Sequence, residues 1–526
     1  FTAGAGLPDL PPATLLSSDD EAVFGFNKNC HGWRVGEGAG AVALMSYDRA
    51  VKESRRVYAL IRAAAASDGI ALDKENQNDS SWLPSAPLLD DVRSCCRAAL
   101  EEARITPEQV GYLEAFASGN DALDGIEIAG SVQAYRSPVQ DLSTVLGGVQ
   151  GNTGYLGASS GLASLIRAAV CIYQRILPAA PGWSGPKLPA LWRCSPFYVP
   201  QESRTWFSTS NSPESAGYGR TAGVNILGRN GSFAHLILSE PDGQPEPTNQ
   251  ALVNSGFYLI PLSASGPDEL VQQLDRLKQA LSGPVDLKDL SARKYAEIQA
   301  NECQPYALAV VGHDPDEICR EIDYALNAVP SAFEKGTDWQ TPLGSYFTPR
   351  PAGQIGGVAL VYPGAFNSYP GVGKDLFYLF PDLHRHSANI TTDLGRVIHE
   401  RMLYPRSLTG LSKDEMTALE AKLLADPIAM LISGTTMAIL YTHILLEIFK
   451  VQPAAAFGYS LGENSMMYAT GVWGQGDGAS DRLAESDTFR SRLAGPQQAI
   501  REYWGISEEN HANGQPLWSN YLVMST

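Results

Sequence analysis

Cysteine is scarce and unpatterned. Its seven residues (Cys30, Cys95, Cys96, Cys171, Cys194, Cys303 and Cys319) are scattered, odd in number, and form no C-x-x-C pair. That argues against a disulfide framework or a zinc site, leaves no metal-binding residues to nominate, and fits a reducing, cytoplasmic setting. Basic residues are outnumbered: 39 Lys and Arg against 57 Asp and Glu give a net charge of −18. Nucleic acid binding, which depends on Lys and Arg neutralising phosphates, is therefore excluded as a main function, and an anionic membrane surface is disfavoured. Charged residues make up only 18 %, below the usual ~25 %, and with 44 % hydrophobic residues the chain is not disordered. Gly and Pro follow no fixed period, so collagen and coiled coil are out. Long apolar runs are also lacking, save Pro427–Phe449. Ser433, Gly434, Thr435, Thr436, His443 and Glu447 interrupt that run, which reads as a buried core helix and not a membrane span. No secretory signal opens the chain; Phe1-Thr2-Ala3-Gly4 reads as a cut into something longer, and the last residues carry no polar tail.

What is present is an α/β pattern long enough, at 526 residues, for about three domains. In 1–240, short apolar runs alternate with helical stretches. Val42-Ala43-Leu44-Met45 reads as a strand, Asp90–Ala103 as an amphipathic helix, Ser160–Leu177 as a longer helix, and Val224–Leu238 as two β-type runs about a Gly-rich turn. Glu240–Pro247 is a turn-rich break. A small α/β module follows: strand Phe257–Leu262, helix Pro267–Leu281, a helix near 289–301, strand Tyr306–Val311 and helix Asp314–Asn327. A second break spans Lys335–Gly356. The third region opens with strand Val358–Tyr362 and runs helical to Lys450.

Gly458-Tyr459-Ser460-Leu461-Gly462 is a G-x-S-x-G motif with an apolar strand before it and a helix-compatible run after it. A nucleophilic Ser needs that context. A sharp strand-to-helix turn projects its Oγ, the glycines allow close backbone approach, and the helix N-terminus favours an oxyanion. With Glu463 the motif resembles the G-H-S-x-G-E signature of the malonyl/acyl-CoA:acyl-carrier-protein transacylases. Upstream, Val361-Tyr362-Pro363-Gly364-Ala365-Phe366 stands where that family has a strand ending in P-G-Q-G. The resemblance implies Ser460 as the catalytic nucleophile and an oxyanion hole from the backbone amides of Ala365 and Leu461. Two departures, Ala365 for Gln and Tyr459 for His, leave the backbone donors and the nucleophile in place. The resemblance also implies an Arg for the malonyl carboxylate, with Arg492 the candidate and Arg490 next, and a general-base His some hundred residues past the elbow. Only 66 residues follow Ser460 (526 − 460), and their one histidine, His511, sits in a polar loop. The base is therefore expected beyond residue 526.

Residues 1–240 resemble the C-terminal half of a β-ketoacyl synthase. Gly36-Glu37-Gly38-Ala39-Gly40 matches the G-E-G-A-G strand entry, with Phe26 and Gly32 ahead of it. Glu114–Gly119 stands for E-A-H-G-T-G, and Asp124 and Glu127 for the G-D-x-x-E after it. Gln150–Tyr155 stands for K-S-N-x-G-H, and Ser160–Ala168 for A-G-x-A-G-L-I-K-A. Gly223-Val224-Asn225 with Ala234-His235 matches the closing hairpin. The resemblance places Phe116 and Tyr155 at the two His positions that condensation needs, and Gln150 at the Lys position. Phe cannot donate a hydrogen bond and Tyr is a poor imidazole substitute. This is the pattern of a chain-length factor, an inactive ketosynthase homologue that pairs with an active one. His235 is expected to be structural, and Cys30 and Cys171 ordinary thiols.

The fold class expected is α/β: a thiolase-like ketosynthase half (1–240), a ketosynthase–acyltransferase linker (241–350), and the N-terminal part of an acyltransferase, α/β-hydrolase-like domain (351–526). The order resembles a segment of a polyunsaturated fatty acid synthase or polyketide-synthase-like multienzyme. It implies acyl- or malonyl-CoA as substrate, phosphopantetheine on an acyl carrier protein as acceptor, an active ketosynthase as partner, and no cofactor held by this chain. Two alternatives stay open: a structural module with both halves degenerate, and a serine acyl hydrolase, although no HGGG-like loop occurs.

Overall fold

The computed structural model describes residues 24–30, 32, 35–68, 87–137, 142–193, 195–208, 219–228, 230–243, 256–300, 304–352, 356–365, 367–391, 393–474, 482–483, 485–493 and 495–506. Phe366, Cys194, Cys303 and His511 lie outside them.

In the first region the strands are β1 (Leu60–Ser67), β2 (Tyr112–Glu114), β3 (Thr144–Gly147), β4 (Ile176–Leu177), β5 (Phe197–Tyr198), β6 (Arg204–Thr205), β7 (Thr221–Leu227) and β8 (Phe233–Ser239). Six form one sheet in the order β1-β8-β7-β2-β3-β5, while β4 pairs with β6 in a second, two-stranded one. The β1/β8/β7 edge is antiparallel, and β7, β2, β3 and β5 run parallel. Both faces are covered, so the central strands are apolar on both sides. Successive residues go to opposite cores: Leu113, Leu146, Phe197 and Ile237 face one, Tyr112, Val145, Tyr198 and Leu238 the other. The helix Leu89–Ala103 covers the first face, burying Val92, Cys95, Cys96, Ala99, Leu100 and Ala103 on one helical stripe. Asp121–Tyr135 packs beside it, and Ser160–Gln174 covers the second face.

Three sequence expectations are corrected here. Val42–Met45 is not a strand. Gly36 N donates to Tyr155 O (2.9 Å), but Val42, Leu44 and Met45 beyond it are exposed and find no ladder partner among the described residues. A strand exists only where a neighbour satisfies its backbone. The helix from Ser160 stops at Gln174, where Arg175 turns left-handed (φ 58°), and Ile176–Leu177 is β4. The helix expected to end at Asn327 runs on to Lys335 through an exposed Pro330, because Val329 and Ala332 continue its buried stripe; Gly336 (φ 62°) ends it.

The middle region has its own core. Strands β9 (Tyr258–Ala264), β10 (Tyr306–Gly312), β11 (Trp339–Gln340) and β12 (Tyr346–Phe347) form an antiparallel sheet ordered β11-β12-β10-β9. So part of the expected Lys335–Gly356 break is a short hairpin on that sheet. The helices Pro267–Leu281, Leu287–Ala300 and Pro315–Lys335 pack on it.

In the third region β13 (Val358–Tyr362) and β14 (Pro453–Gly458) pair in parallel. The helix Pro427–His443 and its extension to Ile448 form one stretch apolar and long enough to cross a membrane. Ala429, Met430, Met437 and Leu440 bury its inner side in the third core.

The third region packs against the first through a charged seam. Arg204 and Arg406 stack over the Tyr198 ring, their guanidinium carbons 5.5 and 5.0 Å from its centroid, and both reach Glu400 (3.3 and 2.7 Å). Arg406 also donates to Leu142 O and Ser143 O (3.0 and 3.1 Å), and Trp183 Nε1 donates to Leu408 O (2.8 Å). Phe207 sits between Phe377 and Tyr404. Such pairs hold geometry well, because removing one partner strands a buried charge.

Candidate active site

Strand β14 delivers the chain to Ser460, which sits on the turn with φ 55°, a left-handed conformation that side-chain-bearing residues hold only when their surroundings impose it. The surroundings here do so. A Cβ on Gly458 would strike the backbone of Gly462, and one on Gly462 would strike the carbonyls of Tyr362 and Pro363. Tyr459 N donates to Tyr362 O (3.1 Å), which ties the turn to β13. Gly462 N to Tyr459 O (2.8 Å) and Glu463 N to Ser460 O (3.2 Å) then start the helix Gly462–Ala469. This is the strand–turn–helix context that makes a serine hydroxyl project.

Ser460 opens on a cavity of about 570 Å³, within the size range of small-molecule sites, and Ala365 and Leu461 line it with Ser460. The helix Pro427–His443 contributes Leu431, Ile432, Thr435, Thr436 and Ile439, a spacing that puts all five on one side. No sequence motif marks this wall; the polar step Ser433–Thr436 within a mostly apolar helix was the available signal. Asn464, Trp473, Leu483 and Phe489 close the space. Arg492 stands elsewhere: its guanidinium lies 3.7 Å from Glu502, half-exposed, and neither it nor the exposed Arg490 lines the cavity. No histidine lines it among the described residues. His384, His386, His399 and His443 all sit in surroundings that hold the imidazole below its ordinary range, burial being the main cause for each.

In the first region, the segments after β2 and β3 bring Phe116 and Tyr155 together. Phe116 is buried and meets the Tyr155 ring edge-on at 6.0 Å. Gln150, at the start of the short helix Gln150–Thr153, is buried with neither amide atom hydrogen-bonded. Three buried carboxylates hold the surrounding loops. Glu127 accepts from Phe116 N (2.8 Å), Ala117 N (3.0 Å) and Asn225 Nδ2 (2.9 Å). Asp124 accepts from Ser118 Oγ (2.8 Å) and Gly119 N (3.1 Å) and pairs with Lys187 (3.0 Å); burial still pushes its carboxyl up to about 7. Glu114 accepts from Val149 N (2.6 Å) and from the Tyr112 hydroxyl. Cys30 and Cys171 are buried, and burial pushes both thiols up, Cys171 to about 12, the wrong direction for a nucleophile. The sequence motifs located the carboxylates but not their work as loop ties.

His235 is fully buried between Asn225 Oδ1 and the Tyr135 hydroxyl, both at 2.8 Å. Burial lowers its pKa to about 3, so the folded protein keeps it neutral while the unfolded chain protonates it near 6.5. Its contribution to stability is complete above pH 6.5 and shrinks as the pH falls from there toward 3. His235→Gln should therefore cost about 2 kcal/mol less at pH 5 than at pH 7.5. Urea unfolding of both proteins at the two pH values checks this; a pH-independent cost would refute it.

Residues 68–183 match the family described as "Beta-ketoacyl synthase, C-terminal domain". Over 97 % of its length the chain is 28 % identical to one of the subunits of a polyunsaturated fatty acid synthase from a Thraustochytrium species, covering 25 % of that protein. Over 52 % of its length it is 30 % identical to "Polyketide synthase PksL" of Bacillus subtilis, covering 6 % of it. Among solved structures, the ketosynthase from module 1 of the bacillaene synthase of Bacillus amyloliquefaciens aligns with 62 % of this chain and 53 % of its own, at 24 % identity and a TM-score of 0.38. The chain thus spans a quarter or less of the curated relatives named here. Residues 68–183 carry the similarity to β-ketoacyl synthase C-terminal domains, and the chain is similar to segments of polyketide and polyunsaturated fatty acid synthases.

Proposed function

We propose that the third region is a serine acyltransferase, and that it works beside a ketosynthase-like region that cannot itself condense. The observation that carries this is Ser460, left-handed at the end of β14 and facing one cavity with Ala365 and Leu461. Ser460 Oγ attacks the carbonyl carbon of an acyl- or malonyl-CoA thioester. Its proton passes to a general base, which the family resemblance takes to be a histidine and which lies outside the described residues. The backbone amides of Ala365 and Leu461 receive the oxyanion. The C–S bond breaks, CoA leaves as the thiol after taking the proton, and an acyl-Ser460 ester remains. The phosphopantetheine thiol of an acyl carrier protein then attacks that ester by the same route in reverse.

In this reading the first region pairs with an active ketosynthase and contributes shape. Phe116 and Tyr155 stand where condensation would call for imidazoles, and Gln150 carries no charge. Buried carboxylate ties around Phe116 and Tyr155, which bring no imidazole, support a scaffold that holds its shape without the reaction.

The test is intact-mass spectrometry of the synthase chain that carries this segment, after incubation with malonyl-CoA and with longer acyl-CoAs, followed by peptide mapping. An acyl adduct on the Ser460 peptide that disappears on adding carrier protein is the expected result. A folded protein that takes no adduct from any donor would overturn the acyl-enzyme and leave a structural module. Rapid loss of the adduct to water without a carrier would make it a hydrolase.

A further inference from the structure

The walls of the Ser460 cavity have a chemistry of their own. None of its lining residues among those described is charged. Ile390, Val397, Leu431, Ile432, Ile439 and Phe489 supply aliphatic and aromatic surface from three separate segments. Three hydroxyls on the same walls are engaged with protein atoms, and Asn464, Tyr468 and Trp473 add only neutral polar groups. Thr436 Oγ1 donates to Ile432 O (2.8 Å), Thr435 Oγ1 bonds Ser465 Oγ (3.0 Å), and Thr391 Oγ1 accepts from Asp393 N (3.1 Å). The nearest arginines in sequence to the far wall, Arg482, Arg490 and Arg492, are all exposed and line none of it.

A malonyl group brings its carboxylate within two bonds of the thioester carbonyl. With that carbonyl at Ser460 and its oxygen toward Ala365 and Leu461, the carboxylate must sit inside this cavity. Among the described lining residues it would meet no cation, only neutral groups such as the Asn464 amide and the Trp473 indole N–H, which compensate poorly for the water lost by an ionised group. An aliphatic chain meets the opposite situation, gaining from every methylene it removes from water. The volume of about 570 Å³ is also far more than a malonyl group fills.

We infer that the Ser460 site takes an uncharged aliphatic acyl group of medium or greater length, not a malonyl group, with the Ile432 side of the helix Pro427–His443 as the selecting wall. This rests on the reading of Ser460 as the acyl acceptor, and its test is built so that the two can fail separately.

The first arm compares acylation of Ser460 in the full synthase chain by malonyl-CoA and octanoyl-CoA at equal concentration. Octanoyl transfer should be at least ten-fold faster; malonyl transfer equal to it or faster overturns the inference and leaves the nucleophile standing. The second arm measures binding of octanoyl- and malonyl-pantetheine to the Ser460→Ala protein by calorimetry, where no chemistry is needed. Octanoyl-pantetheine should bind at least ten-fold tighter, and equal affinities overturn the inference whatever Ser460 does. A third arm introduces a cation with Ile432→Arg, which should move the ratio toward malonyl by ten-fold or more. An unmoved ratio in a variant that still melts cooperatively would remove Ile432 from the selecting wall and overturn the inference as stated.

Discussion

Ser460→Ala should abolish acyl transfer, with a loss of at least about 10³-fold and no acyl-enzyme detectable by mass. The size follows from the chemistry. On the proposed mechanism the reaction is split into two steps through a covalent ester on Oγ, and the threonines of the facing helix are poorly placed to replace it. Thr435 and Thr436 have their hydroxyls tied to Ser465 and to the Ile432 carbonyl. What remains in the variant is the oxyanion site and the binding surface, which accelerate attack by water or carrier thiol only weakly. The fold should be untouched, because alanine meets the φ of 55° with the same Cβ that serine carries and loses only an exposed hydroxyl. The checks are steady-state transfer to carrier protein together with thermal melting. Full transfer by a normally folded variant would remove the nucleophile from the mechanism. Low transfer with a lowered melting temperature would instead mark Ser460 as a turn residue.

The elbow was legible because each requirement of a projecting serine leaves a mark in the residues themselves: apolar strand, glycine, serine, glycine, helix. The elements of the first region were legible for a similar reason. The six buried positions of Leu89–Ala103 repeat at helical spacing, so a one-dimensional pattern suffices. What escaped is what depends on the third dimension. Val42–Met45 has the composition of a strand, but whether it becomes one depends on a neighbour that lies far away in sequence. The β11–β12 hairpin looked like a linker, since two-residue strands carry no measurable alternation. The apolar cavity wall is spread over the segments around 390, 435 and 489, which no local window joins. Arg492 illustrates the same limit: residue type and distance from the elbow nominated it, whereas its direction, toward Glu502, is a property of packing.

Glu127→Ala should cost the first region about 3–5 kcal/mol, the range for breaking a buried charged network by removing one partner. One carboxylate here does the work of three acceptors, for Phe116 N, Ala117 N and the Asn225 amide. Ala117 is itself left-handed at φ 48°, so the loop carrying Phe116 is held in a strained form that these hydrogen bonds stabilise. Deleting the side chain leaves two backbone N–H groups buried without partners, on a strand-to-helix loop with almost no solvent access, and leaves the Asn225 amide only its 3.3 Å bond to Ser131 Oγ. Against a domain stability of about 5–15 kcal/mol, the loss is large enough to open the loop locally if it does not unfold the sheet. Glu127→Gln should cost less, since one carbonyl oxygen still accepts. Hydrogen exchange at Phe116, Ala117 and along Asp121–Tyr135 reads the effect where it arises, and urea unfolding reads its size. A cost below about 1 kcal/mol would mean that the loop is held by something else. The cost would then have to be sought at Asp124 and Lys187, the neighbouring tie. The expected result has a functional side as well. On the proposed reading of the first region, this network would hold the shape around Phe116 and Tyr155 that a partner surface requires.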